Sequence, residues 1–283
     1  MSFVTFGTKT QYYPLGQGTW CIGNDPSVFA HEVQILQEGV RHNLAVIDTA
    51  AMYAEGGAER VVARAIQPYR RDVFVVTKVW PTNASKAGVI SSLKNSLRRL
   101  ETSHVDLFLL HWPSAHYPLR ETMGAMATVY EEGLTKAIGV SNFNVDLLKQ
   151  AQKFLGPIPL VANQIEYSLM ERAAEVSVIP YCQDHNITIM AYSPIKRLNS
   201  LSQDDPKRQV LRQLARQYAT TEHVIALTWV IRQSNIIAIP KTSQYRHLSE
   251  NILAFTLKLS SEDEERLDMA FPRPPHDLSV QWL

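Results

Sequence analysis

Residues 72–78, DVFVVTK, and residues 105–111, VDLFLLH, decide the fold. Each is apolar at successive positions and not at every second one, the pattern of a strand covered on both faces. Strands of that kind belong to parallel sheets, whose neighbours are joined by crossover segments. Working outward from Val73–Lys78 and Val105–His111, similar runs occur at Pro14–Gly18, Ala45–Asp48, Ala137–Val140, Ala162–Ile165, Thr188–Tyr192 and Ile236–Pro240, which makes eight. Segments of helical period lie between them at Val28–His42, Gly57–Ile66, Lys86–Leu100, Arg120–Glu132, Val145–Lys153, Glu175–His185 and a longer region, Pro206–Gln233. The eighth run is followed by another, Tyr245–Phe255. A short hairpin is predicted over Val4–Tyr13. Eight strand–helix repeats fit a closed α/β barrel, the (β/α)8 TIM barrel, better than an open doubly wound sheet. With no Pro/Gly/Ser-rich linker or break in composition, residues 1–283 read as one domain. The proline-rich end, PRPPHDLSVQWL, is expected to cover one end of the barrel.

Composition narrows the function. At 45% hydrophobic and 19% charged residues the chain is an ordinary globular protein with a large core. Lys+Arg at 28 against Asp+Glu at 27 leaves a formal charge of +1, so no global field recruits nucleic acid or an anionic membrane. Cys21 and Cys182 match no metal or CxxC spacing, and they read as free thiols in a reducing compartment, Cys21 as a buried, inert one. No stretch approaches the ~20 apolar residues of a membrane span, and the N-terminus lacks a secretory pattern. A cytoplasmic protein is expected, with no metal.

In such a barrel, chemistry collects at the C-terminal ends of the strands. Here those ends are polar: Asp48, Lys78, His111, Ser141 with Asn142, Asn163 with Gln164, Tyr192 with Ser193, and Lys241. Singly, Asp48 could cap a turn, Lys78 could snorkel to water and His111 could be a hydrogen-bonded core histidine. Together, three ionisable types ending three successive strands converge on one mouth. Asp48 and Lys78 can partner each other, which removes the cost of burying either charge alone. Tyr53, in the following loop DTAAMYAEGGAE, adds a phenol that is a poor acid until a cation such as Lys78 lowers its pKa.

The stretches IDTAAMYAEGGAE, VTKVW, LLHWP, GVSNF, NQIEYS, AYSP and IPKT resemble, in order, the signatures of the aldo-keto reductase superfamily. The resemblance runs from GQGTW at residues 16–20 to the helix after Lys241, and within the superfamily it is nearest to bacterial aldehyde, methylglyoxal and diketogluconate reductases. It implies a (β/α)8 barrel with an N-terminal hairpin, no metal and no Rossmann fold, and NADPH-dependent reduction of aldehydes or ketones, α-dicarbonyls among them. It also implies the catalytic set Asp48, Tyr53, Lys78 and His111, with Tyr53 as proton donor. For the cofactor it implies Tyr192 stacked on the nicotinamide, Ser141, Asn142 and Gln164 on the carboxamide, and Gly18, Thr19, Trp20, Asp48, Ser193 and Ile195 along the ribose and pyrophosphate. Lys241, Thr242 and Ser243 suit a 2′-phosphate, with Glu250 and Asn251 near the adenine. His247 stands where the family commonly has Arg, and Arg246 beside it is rotated by ~100° on a helix. That predicts a reduced preference for NADPH, with NADH the less favoured alternative. Trp20, Met52, Tyr53, Trp80, His111 and Trp112 are expected around a small-molecule carbonyl substrate, and Asn144 as a helix cap. A monomer is expected by analogy. Two rivals stand beside this reading: a non-catalytic nicotinamide-binding regulatory subunit, and a Schiff-base enzyme using Lys78.

Overall fold

The computed structural model of the chain describes residues 3–196 and 198–283 and contains one eight-stranded sheet. Its strands are β1 (Gln17–Gly18), β2 (Val46–Asp48), β3 (Phe74–Val79), β4 (Leu107–Leu110), β5 (Ile138–Ser141), β6 (Leu160–Glu166), β7 (Thr188–Tyr192) and β8 (Ile236–Ala238). Each pairs in parallel with the next. The sheet then closes on itself, because Gly16 N donates to Ala238 O at 2.8 Å, Ala238 N to Pro14 O at 3.0 Å and Gly18 N to Pro240 O at 3.1 Å. A Cβ on Gly18 would lie 2.6 Å from the Ile239 carbonyl oxygen, so the seam can close only over a glycine.

Helices α1 (Phe29–Arg41), α2 (Gly57–Ile66), α3 (Lys86–Leu100), α4 (Leu119–Glu131), α5 (Val145–Leu155), α6 (Val178–Asp184), α7 (Pro206–Gln217), α8 (Glu222–Val230), α9 (Tyr245–Thr256) and α10 (Ser261–Ala270) surround the barrel. Two differ from expectation. Pro206–Gln233 is two helices, since Ala219 takes a left-handed φ of 49° and Thr221 caps a new helix by accepting from Val224 N at 3.4 Å. The charged stretch of α10 forms a helix because Ser260 caps it and Leu267 is buried. The hairpin is reduced to one antiparallel bridge, Val4 with Tyr12, and Phe6 beside it stacks on Phe74 inside the barrel at 4.6 Å. At the other terminus, the backbone of Leu283 pairs with Pro113 and Ala115 in the loop after β4.

The core has two layers. An outer one fills the space between strands and helices. The inner one holds Val46, Phe74, Val76, Leu107, Leu109, Ala162, Met190, Ile237 and Ile239. Because side chains alternate across a strand, the same inward rows continue upward to Asp48, Lys78, His111, Gln164, Tyr192 and Lys241. The apolar rows fill the barrel, and their polar last members form its mouth.

Candidate active site

At the mouth, Lys78 is fully buried and its ammonium has three acceptors: Asp48 Oδ2 at 2.8 Å, Thr49 O at 2.9 Å and the Tyr53 hydroxyl oxygen at 3.1 Å. Three donors meet three acceptors, so the charge is saturated without water. The other oxygen of Asp48 accepts from Gln164 Nε2 at 2.7 Å, and Thr19 donates to the Asp48 carbonyl through both N and Oγ1. Since Lys78 donates to the phenol oxygen, the phenol proton is left free to point elsewhere.

Tyr53 reaches this position through a tight reversal after β2, where Ala54 and Glu55 hold φ values of 49° and 51°. Its ring lies under the Lys78 ammonium at 4.8 Å from the centroid, with Trp20 edge-on at 5.0 Å and His111 at 5.8 Å. Trp80 meets His111 edge-on at 5.1 Å.

The electrostatics sort these groups. Burial disfavours the Lys78 charge, but Asp48 and Tyr53 outweigh it, and its pKa stands above the ordinary value. Burial pushes the Asp48 carboxyl up while Lys78 and Gln164 pull it back. Burial also raises the Tyr53 phenol, and Lys78 only partly offsets this. The expectation that Lys78 lowers the phenol is thus corrected in its net direction: the cation pulls downward, and desolvation wins. Burial, then repulsion from Lys78, depresses His111 well below its usual range, which keeps its imidazole neutral.

A cavity of about 700 Å³ opens above this network. Its walls include Asp48, Tyr53, His111, Gly18, Thr19, Trp20, Met52, Trp80, Trp112, Ser141, Asn142, Gln164, Tyr192, Ser193, Ile195 and Lys241, all anticipated from the sequence. One wall is a hydrogen-bonded chain: Tyr192 OH donates to Asn142 Oδ1 at 2.9 Å, Asn142 Nδ2 to Ser141 Oγ at 2.9 Å, and Ser141 Oγ to the Gln164 carbonyl at 2.8 Å. Asn144 caps α5 by accepting from Leu147 N at 3.0 Å, leaving Asn142 for the cavity. Lys78 itself lies behind Tyr53.

The remaining anticipated residues lie off this cavity. Thr242 and Asn251 face a narrow crevice beside Gly18 and Pro240. His247 and Glu250 line a neighbouring groove, and the Ser243 carbonyl bonds His31 Nε2 at 2.9 Å. Arg246, expected to turn away, lines the same groove as His247. Cys21 is exposed and not buried, on a backbone with a φ of 63° in the loop after β1, whereas Cys182 is buried and burial pushes its thiol up to about 12. Pro194, Lys196, Asn199, His223, Ile239 and Pro240 complete the cavity and were not singled out from the sequence. Lys196 and Asn199 lie just beyond Ile195 in the same loop, a signal that was available. His223 sits on α8 with no local mark.

The family described as the aldo/keto reductase family matches residues 14–271. The chain belongs to that family. Its relatives include the methylglyoxal reductase YeaE of Escherichia coli, 37% identical over 271 residues, with 96% of this chain and 95% of that one covered. The methylglyoxal reductase DkgB of Escherichia coli O157:H7 is 31% identical, over 89% and 90% of the two chains. Among solved structures, an aldo/keto reductase from Klebsiella pneumoniae in complex with NADP and acetate superposes with a TM-score of 0.91 at 35% identity, covering 100% of this chain and 99% of that one. The residues present here fit a nicotinamide dinucleotide: an aromatic platform (Tyr192), amide and hydroxyl groups beside it, and Lys241, whose one hydrogen bond among the described residues is to Ser243 Oγ at 3.4 Å.

Proposed function

We propose that this aldo/keto reductase uses NADPH to reduce aldehydes and ketones to alcohols, with Tyr53 as the general acid. The observation that carries the reading is the Lys78 ammonium hydrogen-bonded at once to Asp48 and to the Tyr53 hydroxyl, beside an open cavity. When bound, NADPH supplies the hydride that ends on the carbonyl carbon while that carbon's π electrons move to oxygen. Tyr53 gives its proton to that oxygen, and Lys78 stabilises the phenolate left behind. Asp48 holds the ammonium in place and keeps it charged. The raised phenol pKa helps here, because a general acid must still be protonated when substrate arrives. Neutral His111 serves as a hydrogen-bond donor that orients the carbonyl oxygen, the logic of an oxyanion site.

For the cofactor, Tyr192 would cover one nicotinamide face, with Ser141, Asn142 and Gln164 on its carboxamide. Gly18, Thr19, Ser193 and Ile195 would follow the ribose and pyrophosphate, and Lys241, Thr242 and Ser243 the 2′-phosphate. Trp20, Met52, Trp80 and Trp112 form the substrate end. Among the described residues, that end carries no free ammonium or guanidinium, since Lys78 lies behind Tyr53 with its three donors taken and the cations that line the cavity, Lys196 and Lys241, stand with the residues assigned to the cofactor. This favours small uncharged carbonyls, and methylglyoxal is supported by relatives bearing that activity in their names. A Schiff base on Lys78 is disfavoured, because the mechanism needs a neutral amine and Asp48 holds an ammonium. A regulatory role is disfavoured by the complete proton-relay set. One barrel spanning residues 1–283, acting as a cytoplasmic monomer without nucleic acid, belongs to the same reading. Among the described residues, no helix is long and apolar enough to cross a membrane.

The test is to follow NADPH absorbance against a panel of aldehydes, α-dicarbonyls, sugars and 2-keto acids. Consumption with the neutral aldehydes and dicarbonyls is expected, and little with the keto acids. No consumption with any carbonyl would overturn the reading.

A further inference from the structure

His247 takes the α9 position at which an arginine would grip a 2′-phosphate, and the α9 arginine beside it, Arg246, is paired with Glu250, yet the surroundings are rich in arginine. A groove of about 480 Å³ joins the main cavity at Asn199 and His223, which line both. On one side stand Arg208, Arg212 and Arg216 of α7, and on the other Arg246, His247 and Glu250 of α9, with Glu222 at the start of α8. Four arginines therefore face two glutamates.

Their pairing is uneven. Arg208 and Arg212 share Glu222, at 3.2 and 3.1 Å from its two oxygens. Both also donate to the loop above, Arg208 to Leu201 O at 2.8 Å and Arg212 to Gln203 O at 3.0 Å, so they are committed to holding that loop. Arg246 meets Glu250 at 3.3 Å. Arg216, in the last turn of α7, is exposed, and among the described residues its guanidinium has neither a hydrogen bond nor an ion pair, while its backbone carbonyl accepts from Ala219 N at 3.2 Å. It is the groove's uncommitted guanidinium, and a planar fork of donors matches a phosphate monoester better than an imidazole does.

We propose that Arg216 supplies, from α7, the clamp on the NADPH 2′-phosphate that α9 lacks at His247. The inference rests on the reading that the adenosine end of the cofactor lies toward α9. A dinucleotide that fills the cavity and passes Asn199 enters the groove, where its 2′-phosphate dianion meets a surplus of positive charge. Lys241 then acts from the cavity side and Arg216 from the groove side. The discrimination against NADH moves with the arginine to a different helix.

The experiment measures binding by fluorescence titration of NADPH and NADH to the wild type, Arg216→Gln and Arg216→Lys. The same proteins are titrated with adenosine 2′-monophosphate and adenosine 5′-monophosphate as competitors. Arg216→Gln is expected to weaken NADPH about tenfold, the scale of one lost charge-assisted contact, while NADH shifts less than about twofold. Arg216→Lys should recover part of the loss, and the 2′-monophosphate should lose its advantage over the 5′ isomer only in Arg216→Gln. Unchanged NADPH binding, or equal weakening of NADPH and NADH, would overturn the role of Arg216. Failure of the wild type to bind NADPH at all would overturn the cofactor reading instead. An unchanged thermal midpoint in both variants establishes that the fold is intact.

Discussion

The two ends of the cofactor trench are built on opposite principles. At the chemistry end, Lys78 and Asp48 have side chains 0% and 3% exposed, and every donor of the ammonium is used. At the end proposed above for the adenosine, Arg246 and Glu250 form a pair in which the arginine is 79% exposed, and the Arg216 guanidinium has no partner among the described residues. The first end hangs from barrel strands whose inner rows also pack the core, so its geometry is fixed as part of folding. The second hangs from loops and the outer turns of helices, where a ligand completes the arrangement. Removing a partner from a buried ion pair costs about 3–5 kcal/mol, whereas an exposed pair is worth about 0–1 kcal/mol. Substitutions should therefore harm stability and chemistry together at one end, and cofactor affinity alone at the other.

The largest effect is expected from Lys78→Met. It leaves the Asp48 carboxylate buried without its cation and takes away the stabiliser of the phenolate. Loss of about 3–5 kcal/mol of stability in urea unfolding should accompany a fall in kcat of about 10³ or more. A variant within tenfold of wild-type kcat would break the comparison. Next, His111→Leu should lower kcat/KM for carbonyls by about 10–10², with the Kd for NADPH, read by fluorescence, left within twofold. Lys241→Ala should raise the Kd for NADPH about tenfold and leave the unfolding midpoint in place. The smallest effect concerns pH. His111 is depressed well below its ordinary 6.5, so it is already mostly neutral there, and Tyr53 is raised above its ordinary 10.0, so it is still mostly protonated at that pH. The kcat for reduction should be flat between those two values, and a titration limb inside them would mean that the burial of one group is relieved during turnover.

The same contrast explains what could be read from the sequence. The runs DVFVVTK and VDLFLLH announce buried strands, and ionisable residues ending three successive runs converge on one mouth, so Asp48, Lys78 and His111 stood out together, with Tyr53 in the loop after Asp48. All eight strands appear in the predicted order: β1, β2, β4 and β8 are shorter than expected, β3 and β5 are shifted by one residue, β7 keeps its bounds and β6 is longer. The region Pro206–Gln233 read as one helix because apolar residues continue into α8 with no Gly or Pro, and a left-handed alanine at position 219 leaves no compositional mark. The SEDEERLDMA stretch of α10 was not among the expected elements, since with only Asp263 and Leu267 of its residues buried it carries little helical period. Arg208, Arg212 and Arg216 recur every four residues, which reads as a solvated helical face. Nothing local says that the face borders a groove shared with α9, since that depends on how α7, α8 and α9 pack. The exposure of Cys21 was hidden for a similar reason: a left-handed φ of 63° at a cysteine leaves no mark in the sequence.

In the proposed reaction Tyr53 gives the proton, so turnover, and not the grip on the cofactor, depends on its hydroxyl. Tyr53→Phe removes one hydroxyl and keeps the ring that packs edge-on against Trp20. In single-turnover mixing of the NADPH complex with an aldehyde, the variant should bind NADPH within about twofold of wild type and oxidise it at least about 10³ times more slowly, the upper part of the range for general acid catalysis. Oxidation at more than a tenth of the wild-type rate would contradict the account.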